Sequence, residues 1–167
     1  MVKTENSSPH LFSSFKKTLF SKIAFALFFT VLVIITLRVS FHIALHRVID
    51  SERAMDKATE FLMHRKFEEA LEQFEKSLKG NPRRKLAWSG KGLCLMSLGR
   101  YDEALANYNR LLKMDSSSPH AWLGKAISLE NLGRFDEAIE SYNKSLKILP
   151  SFGLAHDQRE KLLEKMK

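Results

Sequence analysis

The chain has 167 residues, 44% hydrophobic and 28% charged, a balance that excludes a disordered polypeptide and a multi-span membrane protein. Its one cysteine, Cys94, excludes an internal disulfide framework and a zinc knuckle, and four prolines with seven glycines disfavour a loop-rich sandwich. The formal net charge is +8, yet residues 51–167 mix twenty-one Lys/Arg with seventeen acids, which reads as a solvated surface rather than a nucleic-acid face.

Residues 1–15 are expected to form a flexible head. Lys16, Lys17 and Lys22 follow, and Ile23–Leu37 then runs fifteen residues without a charge. Fifteen helical residues span roughly 22 Å. Counted from Leu19, with Lys22 reaching back to the headgroups, the run spans roughly 28 Å, enough for one crossing of the hydrocarbon core. Residues 16–37 are therefore expected to be an uncleaved transmembrane anchor. A cleaved signal peptide competes, but the run is long for one and no Ala-x-Ala-like site follows; a buried core helix is the third reading. Three cations precede the run, and Arg38, Arg47 and Arg53 follow it. Only the tighter, acid-free first cluster tips the balance toward an inside head.

Neither proline nor glycine occurs between Pro9 and Gly80, so the helix is free to continue through 38–50. Phe41, Leu45, Val48 and Ile49 recur there at helical spacing, with Arg38, His42, His46 and Arg47 between them. Such an amphipathic stretch suits a bilayer surface or a neighbouring helix. His42, His46 and Asp50 share i, i+4, i+8 spacing; this is weak as a metal site, and no metal or cofactor is expected.

An internal repeat organises the remainder. Trp88 and Trp122 lie 34 residues apart, as do Gly99 and Gly133, Ala104 and Ala138, and Tyr108 and Tyr142. Leu98-Gly-Arg-Tyr-Asp-Glu-Ala-Leu105 and Leu132-Gly-Arg-Phe-Asp-Glu-Ala-Ile139 differ only conservatively, and Arg65-Lys-Phe-Glu-Glu-Ala-Leu71 is a weaker third copy. This pattern resembles the tetratricopeptide repeat (TPR) family over residues 51–150. Ala54 stands where the family's Trp is expected, Leu111 where a small residue is usual, and Ser116 where a closing Pro is usual.

The expected fold is all-α: a solenoid of three helix-turn-helix repeats (51–84, 85–118, 119–150), preceded by one transmembrane helix. Ala58, Gly92 and Ala126 on first helices, and Ala70, Ala104 and Ala138 on second helices, let the axes approach closely, with Phe67, Tyr101 and Phe135 beside them. Ser118 is an expected N-cap with Pro119 at the first helical position, and Gly80 an expected helix stop. Residues 151–167 read as a cap helix, with Leu154, Leu162, Leu163 and Met166 on one side.

No nucleophile–base pair or phosphate-cradling loop is visible, so an enzyme is not expected, and Cys94 reads as a buried small hydrophobe. The resemblance implies a groove lined by the first helices. Carried onto this chain, its positions are Glu52, Met55, Thr59, Leu62 and Met63; Leu86, Ser89, Leu93, Met96 and Ser97; and His120, Leu123, Ile127, Glu130 and Asn131. This apolar lining suits an amphipathic helix or hydrophobic peptide. Met55, Thr59, Gly90, His120 and Gly124 occupy the places where some relatives clamp the carboxylate of an Hsp70 or Hsp90 tail, so such a ligand is disfavoured. Arg83, Arg84 and Lys85 form a possible patch for an acidic partner or lipid, against the alternative of a solvated cluster. The resulting expectation is a membrane-tethered protein-binding scaffold. In outline it is similar to small photosystem assembly proteins, and equally to envelope assembly factors.

Overall fold

A computed structural model describes the backbone of residues 9–167 and the side chains of Lys22 and residues 25–167. The head expected at 1–15 lies outside the described residues as far as residue 8; from Pro9 the chain is helical. The elements are α1 (Pro9–Met63), α2 (Phe67–Gly80), α3 (Lys85–Ser97), α4 (Tyr101–Met114), α5 (Pro119–Asn131), α6 (Phe135–Ile148) and α7 (Gly153–Lys165). No strand occurs among the described residues. Two compact units are present, one ending at His46 and one over Arg47–Lys167, and the division falls inside α1.

In the first unit α1 holds a stretch, described from Phe25, that is long and apolar enough to cross a membrane, with none of it buried. Thr30 and Thr36 donate their hydroxyls to the carbonyls of Leu27 and Val33, both at 2.8 Å. Their hydroxyls are thus satisfied within the helix.

The second unit is a stack of helix pairs. The last turns of α1, then α3, then α5 are the first helices of three repeats; α2, α4 and α6 are the second. Each pair is joined by the same turn. Lys66, Arg100 and Arg134 donate backbone N–H groups to Phe61, Leu95 and Leu129, each at 2.9 Å. The bend needs one residue in left-handed conformation, and Arg65, Gly99 and Gly133 supply it with φ of 56°, 71° and 76°. Glycine meets that demand without strain, whereas Arg65 does not.

Packing follows the small residues. Ala58, Ala70, Ala104, Ala126 and Ala138 are fully buried, and each helix from α2 onward packs on the next. Leu111 takes its place in the core at 4% exposure, filling the position where a small residue is usual. Ser118 accepts the Ala121 N–H at 3.3 Å ahead of Pro119, as the sequence indicates. Gly80 is the helix end the sequence indicates, and it has a second role. It is the last residue within α2, and a Cβ there would lie 2.5 Å from Ser51 Cβ and 2.7 Å from the Arg47 carbonyl oxygen. It marks a close helix crossing, locked by the Ser51 hydroxyl donating to the Ser77 carbonyl at 2.8 Å.

The tryptophans explain why copy one lacks its own. Trp88 Nε1 donates to the Pro82 carbonyl at 2.8 Å, and Trp122 Nε1 to the Ser116 carbonyl at 2.9 Å, fastening each first helix to the turn before it. Ser116 serves as well as Pro because the acceptor is a backbone carbonyl. The first helix of copy one continues α1 with no turn before it, so Ala54 has nothing to fasten and is simply buried. Thirty-four residues beyond Trp122, His156 makes the same bond to the Pro150 carbonyl at 2.9 Å. Thus α7 occupies the first-helix place of a fourth repeat. Of its expected apolar side only Leu162 is buried, joined by Ala155; Leu154, Leu163 and Met166 are exposed.

Candidate functional site

The groove positions on the first helices divide into three kinds. Met63 and Leu86 are 73% and 72% exposed, and Leu93 is 44% exposed. Met55, Leu62 and Met96 are half-buried against the core formed by repeats one and two. In repeat three Ile127 packs on the other core cluster, and Leu123 is buried within it, so Leu123 serves packing between repeats rather than the surface. His120 sets its ring edge-on to Phe152 at 4.9 Å, and the Asn131 amide donates to the Ile127 carbonyl of its own helix at 2.8 Å. Among the groove positions, the exposed large apolar side chains therefore lie on α1 and α3. The repeat register alone could not make this distinction, because equivalent positions differ in how deeply their neighbours bury them.

Gly90 and Gly124 belong to the packing. A Cβ at Gly90 would come within 2.6 Å of Phe74 Cε1, and one at Gly124 within 2.5 Å of Tyr108 Cε1. Gly92 meets the far side of the same tyrosine, 2.6 Å from Cζ. Glycine at these positions lets a second-helix aromatic lie against the next first helix. Side chains long enough to grip a carboxylate have no room there.

The Arg83, Arg84, Lys85 patch is mostly engaged within the fold. Arg84 makes a two-pronged ion pair with Glu52, one bond of 2.9 Å, and Lys85 pairs with Asp115 at 2.8 Å. These pairs join positions 32 and 30 residues apart, each tying the start of a repeat to its end. The hydrogen bond from Arg84 holds the Glu52 carboxyl below its ordinary range, and bonds from Lys85 and Ser117 do the same for Asp115. Arg83 alone of the three side chains carries no such pair, and it is exposed.

Other polar groups are structural. Burial pushes the Cys94 thiol up to about 11, with no exposed surface at the residue. Tyr142 is raised by burial and by donating its hydroxyl to Glu130 at 2.7 Å. Asp102, Glu103, Asp136 and Glu137 lie in the first turns of α4 and α6, where carboxylates favour the helix dipole. Arg100 and Arg134 hold Glu103 and Glu137 from the preceding turn at 2.6 and 2.7 Å. His42 and His46 bring their Nε2 atoms to 3.1 Å, and no group of three metal-binding side chains occurs among the described residues.

Helix pairs stacked on shared cores, with apolar side chains left free on the first helices, define an α-solenoid docking module. The sequence profile of the tetratricopeptide repeat family matches residues 55–119 and 95–151, more than half of the chain, and the chain belongs to that family. TPR domains generally mediate protein–protein interactions, and the fold is typically a non-catalytic scaffold. No curated protein matches the sequence.

Solved structures agree on the fold. The first TPR domain of Spaghetti (RPAP3), bound to an HSP90 peptide, superposes with a TM-score of 0.68 at 16% identity, covering 71% of this chain and 94% of that one. The TPR domain of Arabidopsis OM64 gives 0.67 at 17% identity, covering 70% and 96%. The Yersinia enterocolitica type III secretion chaperone SycD, in complex with a peptide of the translocator YopD, gives 0.64 at 20% identity, covering 70% and 94%.

Proposed function

We propose that this chain is a membrane-tethered TPR scaffold that holds an amphipathic helix or hydrophobic segment of a partner protein on its first helices, for recruitment or assembly of a complex at a membrane. The observation that carries the reading is the exposure of Met63, Leu86 and Leu93 on first helices, with Met55, Leu62 and Met96 half-buried beside them in the sequence. Large apolar side chains left exposed at groove positions support an interaction surface there. Methionine adapts its shape to an irregular guest. Bound peptides in the HSP90–RPAP3 and YopD–SycD structures support peptide docking as a use of this fold. Glycine at 90 and 124 disfavours the carboxylate-clamp mode here. The unburied apolar stretch of α1, with its threonines satisfied internally, supports residues 16–37 as the tether. Tethering raises the local concentration of any partner in the same membrane. An assembly factor for a photosystem or another membrane complex is the more specific form of this reading.

The test is affinity capture from detergent-solubilised membranes, with bound proteins identified by mass spectrometry. Leu86→Glu plus Leu93→Glu should abolish capture with unchanged helicity, because both side chains are already exposed. Met96 is avoided because it packs on the core. Normal capture by the double variant would remove the groove from the proposal.

A further inference from the structure

The fold gathers cations that the sequence scatters. A cleft of about 770 Å³ between the repeat-one turns of α1 and α2 is lined by Arg47, Arg53 and Lys57 from one helix and Lys76 and Lys79 from the other, with Asp50 as its one acid. All five cations are exposed. A second cleft, of about 900 Å³, carries Arg83, Lys85, Arg110 and Lys113 with no acid in its lining. The two are related by the repeat: Arg110 and Lys113 stand 34 residues after Lys76 and Lys79, and Lys144 and Lys147 continue the series.

Local causes account for part of this. Lys79, Lys113 and Lys147 lie in the last turns of their helices, where cations complement the dipole. Lys76 and Lys144 pair with Glu72 and Glu140 one turn back, and Arg110 lies over the Trp88 ring at 4.7 Å. None of these causes requires Arg47, Arg53 and Lys57 to face Lys76 and Lys79. Five like charges around one cleft repel, and one acid in its lining does not balance them.

We propose that this basic face, centred on the Arg47, Arg53, Lys57, Lys76, Lys79 cleft, binds the anionic lipid headgroups of the membrane that holds the chain. The inference rests on the anchor reading. Arg47 lies ten residues beyond Leu37, the end of the uncharged run, so the first cleft begins close in sequence to the bilayer segment. Two clefts one repeat apart match an array of anionic headgroups better than a single small ligand. Each cation near an anionic surface contributes about a five-fold preference for it, screened by salt.

The experiment uses the full chain in a Cys94→Ala background, with an environment-sensitive fluorophore on Gln73→Cys, a position in the cleft lining. It is reconstituted in phosphatidylcholine vesicles, with or without phosphatidylserine. The expected result is a blue shift in the anionic vesicles alone. Raising salt to about 0.5 M should abolish it. So should Arg53→Gln with Lys57→Gln and Lys79→Gln, whereas Lys57→Arg with Lys79→Arg should retain it. Identical emission in both lipids, or a shift surviving the triple variant, overturns the proposal. An equal shift caused by polyglutamate in neutral vesicles also overturns it, in favour of an acidic protein. Flotation separates this inference from the anchor. Recovery with neutral vesicles reports the apolar helix alone, while salt-sensitive recovery with anionic vesicles only would retain the cleft and remove the anchor.

Discussion

Gly124 and Tyr108 touch so closely that a methyl group on the glycine would lie 2.5 Å from the ring carbon Cε1. The tyrosine is 4% exposed and has nowhere to retreat. Gly124→Ala gains up to about 1 kcal/mol of helix propensity but overpacks the crossing by about 1–3 kcal/mol. The expected outcome is a net loss of about 1 kcal/mol, read from Trp88 and Trp122 fluorescence during urea unfolding. Gly153→Ala is the control: nothing lies within 4 Å of its added carbon, so the same exchange should stabilise by about 0.5 kcal/mol. Equal effects at the two sites would show that the crossing is not tight.

Arg65 occupies the left-handed turn position that Gly99 and Gly133 hold in the other copies. Its side chain is exposed, so little packing is lost on removing it. Arg65→Gly should therefore stabilise the repeats by about 1 kcal/mol, a rare gain from introducing glycine. Gly99→Ala should cost a similar amount. A lower unfolding midpoint for Arg65→Gly would mean that the arginine makes a compensating contact.

These two cases show what the sequence could and could not reveal. The 34-residue register of Trp88 with Trp122 and of Gly99 with Gly133 is a one-dimensional signal, and it carried the all-helical repeat fold. His156 lay in the same register, yet its chemistry differs from tryptophan and its shared role emerges only from the bond to Pro150. Gly80, Gly90 and Gly124 look alike as letters; whether each ends a helix or admits a neighbouring ring depends on a crossing distance. The Arg84–Glu52 and Lys85–Asp115 pairs close across about one repeat, so a local run of three cations read as a free patch. Lys76 and Lys79 carry no signal of their own in the sequence and become part of a cleft only when α1 faces them.

The same two ion pairs set a pH dependence. Glu52 and Asp115 have folded-state pKa values below their ordinary ones. Their contribution is therefore complete above the ordinary carboxylate range, near pH 4, and is lost as pH falls through the lowered folded values. Both carboxylates are solvent-accessible, so the effect is modest and salt-sensitive. The thermal midpoint of the wild type should drop more between pH 7 and pH 3 than that of Glu52→Gln plus Asp115→Asn. Parallel midpoints across that range would show that the pairs do not stabilise the fold.

Cys94 should behave as a core atom. With its thiol pushed up to about 11, only roughly a thousandth of it is thiolate at pH 8, and burial blocks the approach of reagents as well. Thiol labelling of the native chain should be slow and should rise sharply as urea unfolds the repeats. Fast labelling in the absence of urea would place Cys94 at a surface and reopen a redox role.

The status of α7 decides whether it belongs to the cooperative stack. Leu162 is 1% exposed and shares a core with Leu129, Tyr142 and Leu146 of repeat three. If α7 is part of that cooperative core, Leu162→Ala leaves a cavity and costs about 2–4 kcal/mol in the global transition. If α7 frays independently, the same change shifts only the protection of its own amides and leaves the Trp122 fluorescence midpoint in place. Hydrogen exchange and fluorescence measured on one variant separate these outcomes. The expected result is a common shift, because α6 packs on α7 and Ala155 and Leu162 share one core with Leu129, Tyr142 and Leu146.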